Sequence, residues 1–261
     1  MINITSKVEN PNLCLAWYPS TWDAAATGYP VWQIESIELR GPGAGEDMRL
    51  FDQARDHEGV GLVSCRLSHS RLDLSIFLED HGFRFIEMLY QPELNLISGR
   101  GGSGTIAHLR VRLASQADLP ATIDMAGSAF VNERFHMDPR LGATFGNLRY
   151  QNWVRSSLDH PTQRLYVLED EQGPLSFFVT EMLEDGTCYW HLNAIDPRRQ
   201  GQGLGRLAWL TMLQHAVEEG AIRVRTSIVA RNHRVLNLYA RLGFRFPPPL
   251  MTFHWVREGE A

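Results

Sequence analysis

The sequence lacks the features expected of membrane, secreted and nucleic-acid-binding proteins. It contains no run of about 18 apolar residues, and it opens without the basic and apolar stretches of a secretory signal. Its three cysteines, Cys14, Cys65 and Cys188, are far apart and show no metal-type spacing, so we expect reduced thiols, a cytoplasmic location and no bound metal. The formal net charge of −5 indicates no basic surface for nucleic acid.

A glycine-rich segment divides the 261 residues into two parts. Residues 98–104 contain four glycines in seven positions, which cost too much backbone entropy to lie inside a helix or strand. We therefore predict a linker over 98–104, an N-terminal domain over 1–97 and a C-terminal domain over 105–261.

The two predicted domains echo each other in sequence. The loop Gly-Pro-Gly-Ala-Gly at 41–45 recurs as Gly-Gln-Gly-Leu-Gly at 201–205. Further along, Gly-Phe-Arg-Phe begins at Gly82 in the first domain and at Gly243 in the second. The offset is 160 residues at the loops and 161 at these later glycines, so one single-residue gap aligns both pairs. A constant offset predicts two copies of one unit.

Strands and helices alternate in the predicted C-terminal domain. Helices are predicted from Ser115 or Asp118 to about Phe130, and over 145–158, 204–219 and 233–242. Strands are predicted over 107–113, 164–169, 175–183, 187–195, 223–229 and 250–256. We therefore expect an α/β fold, in which α+β elements are built on a mixed sheet.

The segment DPRRQGQGLG, residues 196–205, joins a predicted strand to a predicted helix. Its glycines let successive backbone amides point into one concavity, and the helix that follows adds free N–H groups and the positive end of its dipole. Such a nest suits a phosphate or pyrophosphate. The segment is neither a P-loop nor a dinucleotide fingerprint. Arg198, Arg199 and Arg206 are expected to add positive charge.

The loop and the sequence after it resemble the GCN5-related N-acetyltransferase (GNAT) superfamily. The family pattern Gln/Arg-x-x-Gly-x-Gly/Ala is matched by Gln200, Gly203 and Gly205, and Asn232 and Tyr239 follow at the family's spacing before a Gly-Phe pair. The resemblance covers the predicted C-terminal domain. It implies the GNAT fold, a degenerate GNAT-like N-terminal half, and acetyl-CoA (coenzyme A) as cofactor.

The resemblance also implies roles for individual residues. Tyr239 is expected to act as the general acid that protonates the leaving thiolate. A backbone N–H group of Ala194 or Ile195 is expected to stabilise the oxyanion. The expected cofactor-binding residues are Ala194, Ile195, Gln200, Gly201, Gln202, Gly203, Leu204, Gly205, Arg206 and Asn232.

The sequence does not single out the base that deprotonates the amine. Glu181, His191, and Asn193 acting through a water are candidates, and a chain of waters could serve instead. Alternation along a strand places His191 and Asn193 on one face.

The N-terminal copy lacks the corresponding residues. Leu78 stands at the position of Tyr239 and Arg71 at that of Asn232. Its glycine loop is followed by Glu46 and Asp47, which repel phosphate. We interpret this half as a non-catalytic partner that completes the sheet or shapes the acceptor pocket.

The segment 129–139 and the aromatic residues after it resemble the dTDP-fucosamine acetyltransferase family. This resemblance implies a primary amine on a nucleotide-linked amino sugar as the small-molecule acceptor, with Arg134, His136 and Asp138 as candidate substrate-binding residues. An ordinary turn at Asp138 explains the segment equally well. An acetyltransferase for another small amine or a peptide, similar to mycothiol synthases, and a non-catalytic coenzyme-A-binding module are the alternatives. A homodimer stays open.

Overall fold

The computed structural model describes residues 5–96 and 109–259, which form two compact units. Unit 1 takes the described residues of Met1–Leu89, Asn132–Arg149 and Pro248–Ala261, and unit 2 takes those of Tyr90–Val131 and Tyr150–Pro247. The units differ from the predicted domains, because residues 132–149 and the end of the chain belong to unit 1. The predicted linker lies outside the described residues.

The elements follow one another along the chain. They are β1 (Ser6–Glu9), β2 (Leu13–Pro19), α1 (Thr21–Thr27), β3 (Val31–Leu39), α2 (Ala44–His57), β4 (Leu62–Ser68), α3 (Leu72–Asp80), β5 (Arg84–Tyr90), β6 (Glu93–Asn95), β7 (Arg110–Leu113), α4 (Leu119–Ala129), α5 (Arg134–Met137), α6 (Ala143–Ser157), β8 (Gln163–Asp170), β9 (Gly173–Met182), β10 (Thr187–Ile195), α7 (Leu204–Glu218), β11 (Arg223–Thr226), β12 (Ile228–Val229), α8 (His233–Arg241) and β13 (Leu250–Val256). Short 3-10 turns lie at Gln116–Asp118 and Pro197–Arg199.

The predicted elements of the second half are present. The strand predicted over 223–229 is divided into β11 and β12, which Ser227 separates. The start of the first predicted helix is fixed by a capping box, in which the backbone N–H of Ser115 donates to Asp118 Oδ2 over 2.7 Å. This reciprocal pairing satisfies N–H groups that the first turn leaves without partners. The α/β fold with mixed sheets is therefore confirmed.

Each unit is built on its own mixed sheet. In unit 1 the strand order is β1-β2-β3-β4-β13-β5, and β3 runs parallel to β4. In unit 2 the order is β6-β11-β10-β9-β8-β7, and β10 runs parallel to β11. The remaining pairs are antiparallel.

Two strands cross the boundary predicted from the sequence. β13, from the end of the chain, pairs with β4 and β5 in unit 1. β6, which precedes the predicted linker, pairs with β11 in unit 2. Each sheet therefore contains a strand that the sequence-based division assigned to the other half.

The sheet of unit 2 separates two apolar clusters. One cluster holds Trp190 from β10, Trp209 from α7 and Tyr239 from α8. The other holds Leu192 from β10 together with residues of α4 and α6, among them Tyr150. We call these the α7 face and the α6 face. Within the described residues, no helix is both long and apolar enough to cross a membrane.

Candidate functional site

β10 contains a bulge at His191. Trp190 is opposite Thr180 on β9 and Leu192 is opposite Val179, so His191 has no counterpart on that strand. The extra residue interrupts the alternation of side chains. Trp190 consequently packs on the α7 face, whereas Leu192 packs on the α6 face.

The prediction that His191 and Asn193 share a face is wrong for this reason. His191 lies beside Trp153 of α6, with the ring centroids 6.0 Å apart. Asn193 instead interacts with Tyr239 on the α7 face. The inserted residue moves every later side chain of β10 to the opposite face.

The end of β10 has one edge that no strand of the described chain covers. Pairing of β10 with β11 ends at Trp190 and Thr226. On the other edge, the backbone N–H of Asp196 donates to the Leu175 carbonyl over 2.9 Å, so Ala194, two residues earlier, also points toward β9. The backbone of Ile195 points the opposite way, and its carbonyl accepts from Gln200 Nε2 over 3.2 Å. Of the two predicted oxyanion donors, Ile195 is the one directed to the open edge.

The glycine loop after β10 is open above its backbone. Gly201 and Gly203 have φ angles of +84° and +78°, a region that favours glycine. A Cβ atom at either position would meet no atom within 4 Å. Gly203 is the N-cap of α7 and supplies no side chain, so the first N–H groups of this 15-residue helix have no side-chain cap. These groups fit a diphosphate.

Two of the three arginines expected to add charge are paired with carboxylates. Arg199 donates two hydrogen bonds to Asp170, over 2.9 and 2.5 Å. Arg198 donates to Asp196, whose pKa is held below its usual range mainly by this hydrogen bond. These pairs brace the loop against the sheet. Arg206, on the first turn of α7, is exposed.

Asn232 and Tyr239 lie on α8. Asn232 is the N-cap of this helix, and its side chain accepts from the backbone N–H of Val235 over 3.3 Å. Tyr239 is 1% exposed and packs edge-on against Phe244 with the ring centroids 4.8 Å apart. Burial raises the pKa of Tyr239 to about 12 although hydrogen bonds, including one with Asn193, act in the other direction. The phenol therefore holds its proton at neutral pH.

Glu181 and His191 form a hydrogen-bonded pair on neighbouring strands. Glu181 Oε2 lies 2.7 Å from His191 Nε2, and the two side chains are 22% and 19% exposed. Burial lowers the pKa of His191 below 6.5, and Glu181 only partly opposes this. Burial by itself raises the pKa of Glu181, but hydrogen bonds from Thr162 and His191 outweigh it and leave the value below 4.5.

These protonation states define a tautomer. An ionised carboxylate can only accept hydrogen bonds, so the proton of neutral His191 is on Nε2. Nδ1 is then left as a proton acceptor. The structure thus brings together two of the three candidate bases, with the Glu181 carboxylate accepting from the ring of His191.

Three residues around this pair, Tyr189, Ser227 and Gln163, were not predicted. The ring of Tyr189 lies 4.8 Å from that of His191, and its hydroxyl is 2.7 Å from Ser227 Oγ. Trp153 Nε1 donates to Gln163 Oε1 over 3.2 Å. Tyr189 could have been found from its spacing of two from His191 on a strand. Ser227 and Gln163 come from remote parts of the sequence, which gives no signal for them.

The predicted acceptor residues lie in unit 1, whereas the glycine loop lies in unit 2. Arg134 is 5% exposed and donates to Ser64 Oγ over 2.9 Å, with Asp23 at 3.5 Å. Asp138 is 1% exposed and accepts from Arg140.

His136 Nε2 is 2.8 Å from Asn147 Oδ1. Arg134 and Asp138 thus make their polar contacts within unit 1. The acceptor role of the three stays a prediction. Across residues 5–96 and 109–259, no group of three or more His, Cys, Asp or Glu side chains could hold a metal ion.

Comparison with known proteins finds sequence similarity over part of the chain. Residues 130–244 match the model of the Acetyltransferase (GNAT) family. The spore coat polysaccharide biosynthesis protein SpsD of Bacillus subtilis (strain 168) is 23% identical over 141 residues, which are 52% of this chain and 47% of SpsD. Mycothiol acetyltransferase of Saccharopolyspora erythraea is 31% identical over 124 residues, which are 47% of this chain and 40% of that enzyme. The chain thus spans about half the length, or less, of these curated relatives.

Solved structures share the fold across nearly the whole chain. A functionally unknown conserved protein from Staphylococcus epidermidis superposes with a TM-score of 0.68 at 11% identity, covering 98% of this chain and 96% of that one. A GCN5-related N-acetyltransferase from Sphaerobacter thermophilus gives 0.61 at 14% identity, covering 94% and 80%. A tandem GNAT protein from the clavulanic acid biosynthesis pathway gives 0.58 at 13% identity, covering 93% and 78%. Residues 130–244 therefore resemble the GNAT acetyltransferases in sequence, and the chain shares the fold of these solved structures over nearly its whole length.

Proposed function

We propose that this protein transfers an acetyl group from acetyl-CoA to a primary amine, and that the amine belongs to a nucleotide-linked amino sugar. The open glycine loop at the start of α7 carries the proposal. It lies directly after the edge of β10 that exposes the backbone of Ile195. Sequence similarity to the GNAT family over the same region supports it.

The binding step uses backbone groups of unit 2. The N–H groups of residues 200–206 hold the pyrophosphate of coenzyme A, as the uncapped first turn of α7 allows. Arg206 adds charge from the exposed side of the helix. Asn232, whose side chain already caps α8, contacts the cofactor arm.

The chemical step uses four groups of the protein: His191, Glu181, the N–H of Ile195 and Tyr239. Bound acetyl-CoA supplies a thioester carbonyl carbon that a neutral amine can attack. His191 Nδ1 takes the proton that the amine loses, while Glu181 holds the imidazole through Nε2. The N–H of Ile195 stabilises the negative charge that develops on the carbonyl oxygen. Tyr239 gives its proton to the departing sulfur and recovers one from solvent.

The surroundings of His191 support a ring-shaped polar acceptor. Trp153 and Tyr189 place aromatic rings 6.0 and 4.8 Å from the imidazole, and Gln163 and Ser227 add hydrogen-bonding groups. Aromatic faces and hydrogen-bonding groups together suit a hydroxylated ring. The name of SpsD, a polysaccharide biosynthesis protein, agrees with this acceptor class.

A second candidate is an acetyltransferase for another small amine. The 31% identity with a mycothiol acetyltransferase favours it. Its acceptor would occupy the same surroundings of His191, so the two candidates differ in the substrate and share the residues of the transfer.

The test is acetyl transfer by the full chain to a panel of primary amines. The panel contains a nucleotide-linked 4-amino-deoxysugar, free glucosamine, a cysteine-bearing small molecule and a peptide, and the products are identified by mass spectrometry. We expect the nucleotide-linked sugar to give the highest kcat/KM. Preference for the cysteine-bearing acceptor would support the second candidate. Tight acetyl-CoA binding without transfer to any amine would indicate a non-catalytic binding module.

A further inference from the structure

The turn that joins α6 to β8 contacts Glu181 and Trp153, two neighbours of His191. It has the sequence His160-Pro161-Thr162-Gln163 and belongs to unit 2. Gln163 is the first residue of β8 and is directly opposite Glu181 on β9. The turn therefore lies at the end of the sheet where the pair is located.

Thr162 makes the first contact. Its hydroxyl is close enough to Glu181 to lower the pKa of that carboxyl group, and it lies 3.4 Å from His160 Nδ1. Glu181 also bonds to His191 Nε2 over 2.7 Å. Thr162 therefore supplies a second donor beside the carboxylate that receives the imidazole N–H, and such a neighbour favours one orientation of Glu181.

Gln163 makes the second contact. Its Oε1 accepts from Trp153 Nε1 over 3.2 Å, and the Trp153 ring lies 6.0 Å from that of His191. Two neighbours of the imidazole, one polar and one aromatic, are thus contacted by consecutive residues of the same turn.

His160 closes the turn. Its Nδ1 accepts the backbone N–H groups of Thr162 and Gln163 over 3.3 and 3.2 Å. Only an unprotonated ring nitrogen can accept, so His160 does here what an aspartate or asparagine oxygen does in an Asx-turn. Pro161 lies between His160 and Thr162, and its ring fixes its own φ angle.

We propose that the turn 160–163 is a positioning element for the base. It holds Glu181 and Trp153 so that His191 keeps its proton on Nε2 and presents Nδ1 to the acceptor amine. Thr162 and His160 are positioning residues, since neither needs to touch substrate. This inference rests on the proposed function, in which His191 is the base.

The first test compares Thr162→Val, which removes the hydroxyl at nearly constant shape, with Thr162→Ser, which keeps it. The tautomer of His191 is measured by ¹⁵N NMR on the full chain labelled at histidine, with His191→Gln to assign the signals. We expect the Nε2–H tautomer in the unsubstituted chain and in Thr162→Ser, and a mixture of tautomers in Thr162→Val. We expect kcat of Thr162→Val to fall about tenfold, as for the loss of one hydrogen bond to a charged group, with an unchanged KM for acetyl-CoA.

The second test compares His160→Ala with His160→Asn. Asparagine can accept the same backbone N–H groups through Oδ1, whereas alanine cannot. We expect His160→Ala to behave like Thr162→Val, and His160→Asn to retain most of kcat and the tautomer.

These measurements separate the inference from the function on which it rests. A His191 tautomer that is unchanged in both Thr162→Val and His160→Ala would overturn the positioning role, even if both variants lost thermal stability. Full turnover by His191→Gln would instead remove the base assigned under the proposed function. The tautomer measurement would then still decide whether the turn orients the ring.

Discussion

The glycine loops of the two units, residues 41–45 and 201–205, differ in what lies above their backbones. In unit 1 the side chain of Asn12 fills that space, so a Cβ atom at Gly41 would lie 2.3 Å from Asn12 Oδ1, and one at Gly43 would lie 2.6 Å from Nδ2. Asp47 holds Asn12 in place by accepting from its backbone N–H over 3.3 Å. In unit 2 the space above Gly203 is open.

The backbone of the two loops also differs. Gly43 and Gly203 each cap the helix that follows, but φ is −83° at Gly43 and +78° at Gly203. The same glycine spacing therefore serves two purposes. In unit 1 it makes room for a side chain of the protein, and in unit 2 it leaves room for a ligand. A glycine motif becomes evidence of binding only when the space above it is known.

The largest expected effect concerns whether either half is autonomous. A fragment of residues 109–259 lacks β6, the neighbour of β11, and a fragment of residues 1–96 lacks β13, which lies between β4 and β5. We expect neither fragment alone to give a cooperative thermal transition by circular dichroism, and a mixture of the two to recover one. If the fragment 109–259 folded and bound acetyl-CoA by itself, unit 2 would not need β6 for its fold.

The next largest effect is a difference in acetyl-CoA affinity between matched substitutions in the two loops. Gly203→Asp forces a side chain into a left-handed φ and adds negative charge beside the pyrophosphate, so we expect acetyl-CoA affinity to fall by about 100-fold or more. In the matched variant Gly43→Asp, the new side chain would clash with Asn12. We expect this variant to have a lower melting temperature and an unchanged affinity for acetyl-CoA. Titration calorimetry measures both. Equal affinity in Gly203→Asp and the unsubstituted protein would refute the assignment of the loop.

A smaller effect is expected at the corresponding helix positions, Tyr239 and Leu78. Both side chains are buried, but Tyr239 alone carries a proton to give. Tyr239→Phe should lower kcat about tenfold with little change in the KM for acetyl-CoA. Because the pKa of Tyr239 is raised to about 12, the group stays protonated through the alkaline range, and turnover should show no loss from its ionisation below pH of about 10.

The matched variant at the other helix is Leu78→Ala. It should cost about 2–5 kcal/mol of unfolding free energy, as for a leucine truncated in a packed core, and leave kcat unchanged. Denaturant titration and steady-state kinetics check the two outcomes. A Tyr239→Phe variant with full kcat would remove Tyr239 as the acid.

The smallest effect on acetyl-CoA binding is expected from removing the Asn12 side chain that fills the glycine loop of unit 1. Asn12→Gly clears the space above Gly43, but Glu46 and Asp47 remain beside it and φ of the cap stays negative. We expect the protein and this variant both to bind one acetyl-CoA per chain by calorimetry. A second equivalent of acetyl-CoA on the unsubstituted protein would show that unit 1 binds the cofactor as well.

Local sequence patterns predicted most of the elements, whereas pairing between remote segments was beyond them. The helix stop at Gly243 and the cap at Ser115 follow from residues within one turn of each helix end. The partners of β6 and β13 depend on contacts far apart in the chain, and their short sequences favour no particular neighbour.

The same limit applied to the candidate site. One extra residue at His191 reverses the faces of β10 without any signal in the sequence, because a bulge is a property of the pair of strands. The Glu181–His191 contact depends on the register of β9 against β10. The glycine loop could be predicted because its conformation is set by its own residues.

The position of β13 has a consequence for the order in which the protein is made. Unit 1 begins to emerge from the ribosome first, yet the strand between β4 and β5 follows almost all of unit 2 in the chain. Until Leu250–Val256 has been synthesised, β4 and β5 present unpaired edges that invite association with other chains. A premature stop ahead of Leu250 would therefore damage the first unit more than the second, although every codon of β1 to β5 had been read.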